Sequence, residues 1–229
     1  MPKDIAVIIP AYNEEKSIDK VINDLPRDNI SIIIVVDNNS TDHTAEKARE
    51  AGAHVLYEKD QGYGNACLMG ISYLKTLEIK PYIIVFIDGD YSDYPQQLPL
   101  LTAPIYDEDF DMVIGSRMKG NVEKGALTIQ QIVGNKLAGF LLKFLYGAQY
   151  TDLGPFRAIK YDSLLRIGMK DKTYGWTVEM QIKAAKLKMK TCEVPVNYKK
   201  RIGFSKISGT VKGTLMAGYK IIYTIFKYL

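Results

Sequence analysis

Two cysteines in 229 residues leave no room for a disulfide framework. Cys67 and Cys192 stand in apolar surroundings with no C-x-x-C or metal-ligand spacing, so buried thiols in a reducing compartment are expected. No apolar run reaches the roughly 20 residues that a membrane span needs; the longest helix-like ones, 137–142 and 213–219, are cut by Lys143 and Lys220. A strand-like run begins after four residues, with no basic n-region, apolar h-region or small-residue cleavage site, and the expectation is a cytosolic chain. Internal repeats, linkers and low-complexity tracts are also missing. One domain over 1–207 with a C-terminal helical extension over 208–229 is the simplest division.

What is present is an ordinary globular composition, 47% hydrophobic and 24% charged, with a divided charge. Residues 1–118 hold 10 Lys and Arg against 20 Asp and Glu, whereas residues 119–229 hold 20 against 6. The basic second half points to an anionic partner: nucleic acid, membrane surface or phosphorylated substrate.

Short β-branched runs alternate with amphipathic segments: a strand over 5–9 and a helix over 14–25, a strand over 31–36 and a helix over 41–52, a strand over 54–57 and a helix over 64–77, then a strand over 82–87. This is the pattern of an α/β fold with a mostly parallel, Rossmann-like sheet and helices on both faces. Ligands of such sheets sit at the carboxyl ends of the strands. Those ends carry Pro10-Ala11-Tyr12-Asn13-Glu14, Asp37-Asn38-Asn39-Ser40 and Asp88-Gly89-Asp90. Asn13, Ser40 and Thr41 read as helix N-caps; capping does not account for Asp37 or Asp88.

The segment "FIDGDYSDYP" ends the most apolar strand on two carboxylates one residue apart. Like charges that close raise each other's pKa unless a cation lies between them. Mg2+ or Mn2+ resolves the conflict, being held typically by one or two carboxylates with substrate phosphate oxygens and water. Gly89 lets the backbone approach a ligand. Asp93, before Pro95, reads as a charge at the start of a helix and is left out of the site.

"GYGNAC" has Cys67 where a dinucleotide fingerprint needs its third glycine, which argues against a Rossmann dehydrogenase, although a tight turn from Gly62 into a ligand-facing helix still fits. A strand over 111–115 ends at Arg117, a helix follows over 128–146 and another over 176–187, and a basic loop, "KKRIGFSKISG", precedes the last helix. Arginine suits phosphate oxygens. Arg157 is open between a ligand role and a structural ion pair. Lys212, Lys220 and Lys227 share one side of the last helix beside Leu215, Met216, Ile222 and Phe226, which fits an interfacial helix or one docked on its own domain.

Together "VIIPAYNEE", "VVDNNSTD", "KDQGYGNACLMG", "FIDGDYSDYP", "VIGSR", "GPFRAI", "YGWTVEM" and "VPVNYKKRIGFSKISGT" resemble the family 2 glycosyltransferases of the dolichyl- or polyprenyl-phosphate sugar synthase type, over nearly the whole chain. The resemblance implies a GT-A fold, an inverting transfer from a nucleotide diphosphate sugar of UDP-glucose or GDP-mannose type, and a polyprenyl phosphate acceptor. It also implies Mg2+ or Mn2+ on Asp88 and Asp90, peripheral contact at the inner face of the cell membrane, and no nucleic acid. Motif matching puts Pro10, Ala11, Tyr12, Glu14, Asp37, Gly62, Asp88, Gly89 and Asp90 around the donor. It puts Arg117 and Ser205 toward the acceptor phosphate, Arg201 and Lys206 on the diphosphate, and Glu179 near the sugar. One departure stands out: many relatives carry arginine where this chain has Gln130-Gln131-Ile132-Val133, leaving Arg117 without the second half of a two-arginine clamp. A soluble acceptor, or a non-catalytic nucleotide-sugar-binding subunit, are the alternatives.

Overall fold

Apolar side chains at every position suit a strand that is covered on both faces. Strands β1 (Ile5–Ala11) and β4 (Ile83–Phe86) have that composition, and β2 (Ile30–Asp37) nearly so. With β3 (His54–Tyr57), β5 (Met112–Ser116), β6 (Arg157–Lys160) and β7 (Thr191–Pro195) they form one seven-stranded sheet in the order β3-β2-β1-β4-β6-β5-β7. The computed structural model describes residues 4–203 and 211–229.

Alternate residues of each strand feed opposite cores, the period of two expected of pleated backbone. Ala6, Ile8, Ile34, Val36, Ile84 and Phe86 face α3 (Tyr63–Leu74), α5 (Ile129–Tyr146), α6 (Tyr161–Ile167), α7 (Trp176–Lys186) and the end of α8 (Val211–Lys227). Ile5, Val7, Ile9, Val35, Val85 and Ile87 face α1 (Ile18–Asn23), α2 (Thr44–Glu50) and α4 (Leu98–Glu108).

Register brings the loops of the site together. Ala11 pairs with Asp37 and Ile8 with Phe86, so the chain leaves β1, β2 and β4 along one edge. The alternation gives no expectation of a strand at Arg157–Lys160, yet β6 lies antiparallel between β4 and β5 and fills the sheet there. Helix α1 starts at Ile18 rather than near Glu14, because Asn13 takes a left-handed φ of 53° and turns the chain first. The expected N-caps differ as well: Asn13 N–H donates to Ser40 Oγ (2.9 Å) and Thr41 N–H to Asn13 Oδ1 (2.8 Å), which ties the β1 and β2 loops to each other. Helix α5 carries a full capping box, between Thr128 and Gln131.

Candidate active site

Two cavities open at the carboxyl edge of the sheet and share a wall made of Tyr63, Asp88, Asp90, Thr173, Tyr174 and Arg201. The smaller, about 480 Å³, runs under the β1 loop along Pro10, Ala11, Tyr12 and Glu14 and past Asn38, Gly62 and Gly89. The larger, about 580 Å³, extends the other way between α5 and α8, along Arg117, Gln131, Asn135, Tyr198, Gly218 and Ile221.

The shared wall is charged. Asp90 Oδ1 accepts from Ser92 N–H (2.9 Å) and Oγ–H (2.5 Å), and its Oδ2 lies 3.2 Å from an Arg201 nitrogen. Arg201 also donates to Glu14 Oε1 at 2.8 Å, while its buried Nε–H has no acceptor among the described residues. Asp88 is more deeply set. Its Oδ1 is buried with no well-formed hydrogen bond among the described residues; burial and then the neighbouring Asp90 push its carboxyl up to about 7, against the pull of the Tyr63 hydroxyl, Arg201 and Arg117. Two carboxylates on one wall form a hard-oxygen set that fits Mg2+ or Mn2+. Among the described residues no group of three or more His, Cys, Asp or Glu gathers, so a cation held here draws its other ligands from substrate and water.

Gly89 gives no special clearance to a ligand. A Cβ there would meet Pro10 O, Ala11 and Ile18 at 3.4–3.5 Å, ordinary contact.

Arg117 is built into the larger cavity by a bidentate pair. Its Nε–H and an Nη–H donate to Asp152 Oδ2 (2.8 Å) and Oδ1 (2.6 Å), its backbone N–H donates to the same carboxylate, and its guanidinium lies over the Tyr198 ring. Asn135 Nδ2–H donates to Asp152 as well. Burial would lower the Arg117 pKa, but the Asp152 carboxylate outweighs it and holds the arginine above its ordinary value.

Several residues stand elsewhere than expected. Glu179 does not line either cavity: it is fully buried, and its carboxylate accepts from the backbone N–H groups of Lys170 and Asp171, from Tyr228 Oη–H (2.6 Å) and from Lys183 (2.6 Å). Its oxygens are taken up by these donors, which removes it from the sugar. Asp37 accepts from Ser40 N–H and lines neither cavity, whereas Asn38, just past the end of β2, lines the smaller one. Arg157 is neither a ligand nor an ion pair; it is fully buried and its guanidinium donates to the carbonyls of Leu153, Gly154 and Thr177. Ser205 and Lys206 lie outside the described residues.

Sequence reasoning passed over Asp152, Tyr198 and Asp93. Asp93 is 1% exposed, and burial and then Asp88 raise its carboxyl well above the usual range, with Arg117 opposing. The available signal was Asp152 two residues before "GPFR", an acid close to an arginine.

A family model for glycosyl transferase family 2 matches residues 6–168. Glycosyltransferase AglJ of Haloferax volcanii is 31% identical over 86% of this chain, which spans 63% of that relative's length. The UDP-N-acetylglucosamine–dolichyl-phosphate N-acetylglucosaminyltransferase of Methanococcus voltae is 30% identical over 96% of this chain and 94% of its own. The undecaprenyl-phosphate mannosyltransferase of Micrococcus luteus is 32% identical over 91% and 89%. Glucosyl-3-phosphoglycerate synthase from Mycobacterium tuberculosis, solved with Mg2+ and UDP, superposes with a TM-score of 0.77 over 99% of this chain and 79% of that one; at 22% identity the likeness is of fold. The sheet order, the paired cavities and these matches agree, and the chain belongs to glycosyl transferase family 2, as a sugar-transferring enzyme with a GT-A fold.

Proposed function

We propose that this protein transfers a hexose, with inversion, from a nucleotide diphosphate sugar of UDP-glucose or GDP-mannose type to a polyprenyl phosphate, at the cytoplasmic face of the membrane. The carrying observation is that two cavities meet at Asp88, Asp90 and Arg201, so that a donor in one and an acceptor in the other share a single reacting point. The names of the Methanococcus and Micrococcus relatives support a lipid phosphate as acceptor.

In this reading Pro10, Ala11, Tyr12, Asn38 and Gly62 enclose base and ribose, and Arg201 faces the diphosphate, held in place by Glu14 and Asp90. Asp88 and Asp90 would hold the divalent cation, which when bound would supply charge to offset that on the departing nucleoside diphosphate. Arg117, fixed by Asp152, receives the acceptor phosphate. A phosphate monoester with a second pKa near 6 is largely ionised at neutral pH, so its oxygen needs no strong base. That oxygen bonds to the anomeric carbon as the bond to the diphosphate oxygen breaks, and the nucleoside diphosphate leaves with the electron pair. Arg201 is a preorganised positive group for that charge.

Membrane contact is supported by helix surfaces. Among the described residues no helix is long and apolar enough to cross a bilayer. Helices α5 and α8 pack together, contain no carboxylate, and expose Val133, Leu137, Phe140 and Phe144 on one and Leu215, Met216, Tyr219 and Phe226 on the other. The 208–229 segment thus serves as an interfacial extension, although its lysines do not act as an equivalent row: Lys220 pairs with Asp171 at 3.0 Å and Lys227 lies over the Tyr228 ring.

The test is transfer from labelled UDP- and GDP-sugars to a polyprenyl phosphate with Mn2+. Asp90→Ala is expected to lower transfer by roughly 100-fold or more, as loss of a group that holds transition-state charge does elsewhere. Transfer that persists in the variant, or that needs no divalent cation in the wild type, would sink the proposal.

A further inference from the structure

Helix α8 and the Tyr228 that follows it touch the strap 170–175 and the first turn of α7. Lys220 Nζ lies 3.0 Å from Asp171 Oδ2; Thr224 Oγ1 stands where a Cβ on Gly175 would come within 2.5 Å; and Tyr228 Oη–H donates to Glu179 Oε1 at 2.6 Å. Lys220 and Thr224 are four apart, the spacing that keeps side chains on one helix face, and Tyr228 follows four residues on, just past the end of α8. Lys186 Nζ donates to Tyr228 O (2.6 Å) and closes the end of the row.

The other side of the strap faces the site. Thr173 and Tyr174 belong to the wall that both cavities share. Lys172 O accepts from Asn65 N–H (3.0 Å), and the strap presses so closely on α3 that a Cβ at Gly64 would lie 2.0 Å from Asp171 O and one at Gly62 2.2 Å from Lys172 O. Glu179 fixes the strap from beneath through the N–H groups of Lys170 and Asp171. The strap is therefore clamped between the turn that edges the donor cavity and a helix whose outer face is apolar and open.

We propose that α8 positions the donor wall: Lys220 and Tyr228, neither of which lines the cavities, act through Asp171 and Glu179 on the strap that carries Thr173 and Tyr174, and so set the affinity for the nucleotide-sugar. This rests on the donor reading above. It gives Glu179 a positioning role in place of contact with the sugar, and it places the C-terminal helix in control of a site more than 100 residues earlier in the chain.

The experiment titrates Mn2+ with UDP and Mn2+ with GDP into wild type, Lys220→Met, Lys220→Arg and Tyr228→Phe by calorimetry, with donor KM and kcat alongside. One lost hydrogen bond to a charged group, partly transmitted, predicts nucleotide affinity weakened about 3- to 10-fold in Lys220→Met and Tyr228→Phe, and close to wild type in Lys220→Arg. Donor KM is expected to rise in parallel while kcat changes less than about 2-fold. Variants that melt earlier but bind nucleotide as tightly as wild type would show a structural role alone and overturn the positioning role. A wild-type chain that binds neither nucleotide overturns the donor reading, and the positioning role with it.

Discussion

Asp88 holds its proton up to about pH 7 because it is buried beside Asp90, whereas in the unfolded chain it ionises near 3.8. Between those values the folded chain carries a proton that the unfolded chain has released, so stability falls as pH rises through the window, and above pH 7 the full cost is present. Asp88→Asn removes the cost. The metal-free variant is expected to melt roughly 4 °C or more above wild type at pH 8, with the gap closing toward pH 4.5. Equal midpoints at pH 8 would show that the carboxylate carries no such burden. The same proton opposes cation binding, so Mn2+ affinity in the wild type should climb with pH up to about 7. That Asp88 and Asp90 stand together at the carboxyl edge of the sheet was legible from their place after an apolar strand; that Asp93 is buried near them was not, because it bridges to Tyr198, over a hundred positions away.

At the scale of elements, the end of β5 is joined to the loop before β6 by the Arg117–Asp152 pair, with Asn135 of α5 as a third member. Removing one partner of a buried pair leaves an uncompensated charge and costs about 3–5 kcal/mol. Asp152→Ala is thus expected to lower the melting midpoint by roughly 6 °C or more, and to weaken acceptor use more than nucleotide binding, since Arg117 lines only the larger cavity. A variant with wild-type melting and unchanged acceptor KM would contradict this. The repeated strand–helix order made β1 to β4 readable, as each strand is apolar and each crossover local. Strand β6 was not, for it is four residues long, follows the long α5, and runs antiparallel, a direction that no residue of "RAIK" encodes. Glu179 shows the same limit. Its motif suggested a place at the sugar, but a buried carboxylate on a helix can face either way, and here its partners come from the strap and from Tyr228.

For the whole molecule, the acidic first half carries Asp88 and Asp90, and the basic second half carries the helices that expose apolar surface. An interfacial helix needs both apolar burial and attraction to anionic lipid, and α5 and α8 combine exposed aromatics with lysines and no acidic residue. The protein is expected to float with vesicles containing phosphatidylglycerol and much less with phosphatidylcholine alone, the difference shrinking as salt rises. Phe144→Glu with Tyr219→Glu should abolish flotation without changing the fold, as both side chains are largely exposed. Since α8 also holds the donor wall, seating it on a membrane and binding nucleotide are linked, and linkage is reciprocal. If anionic vesicles tighten Mn2+ and UDP binding by some factor, saturating nucleotide must tighten vesicle binding by the same factor. A protein that ignores vesicles of either kind, yet glycosylates a water-soluble phosphate, would set the lipid aside and leave the two cavities to a soluble acceptor.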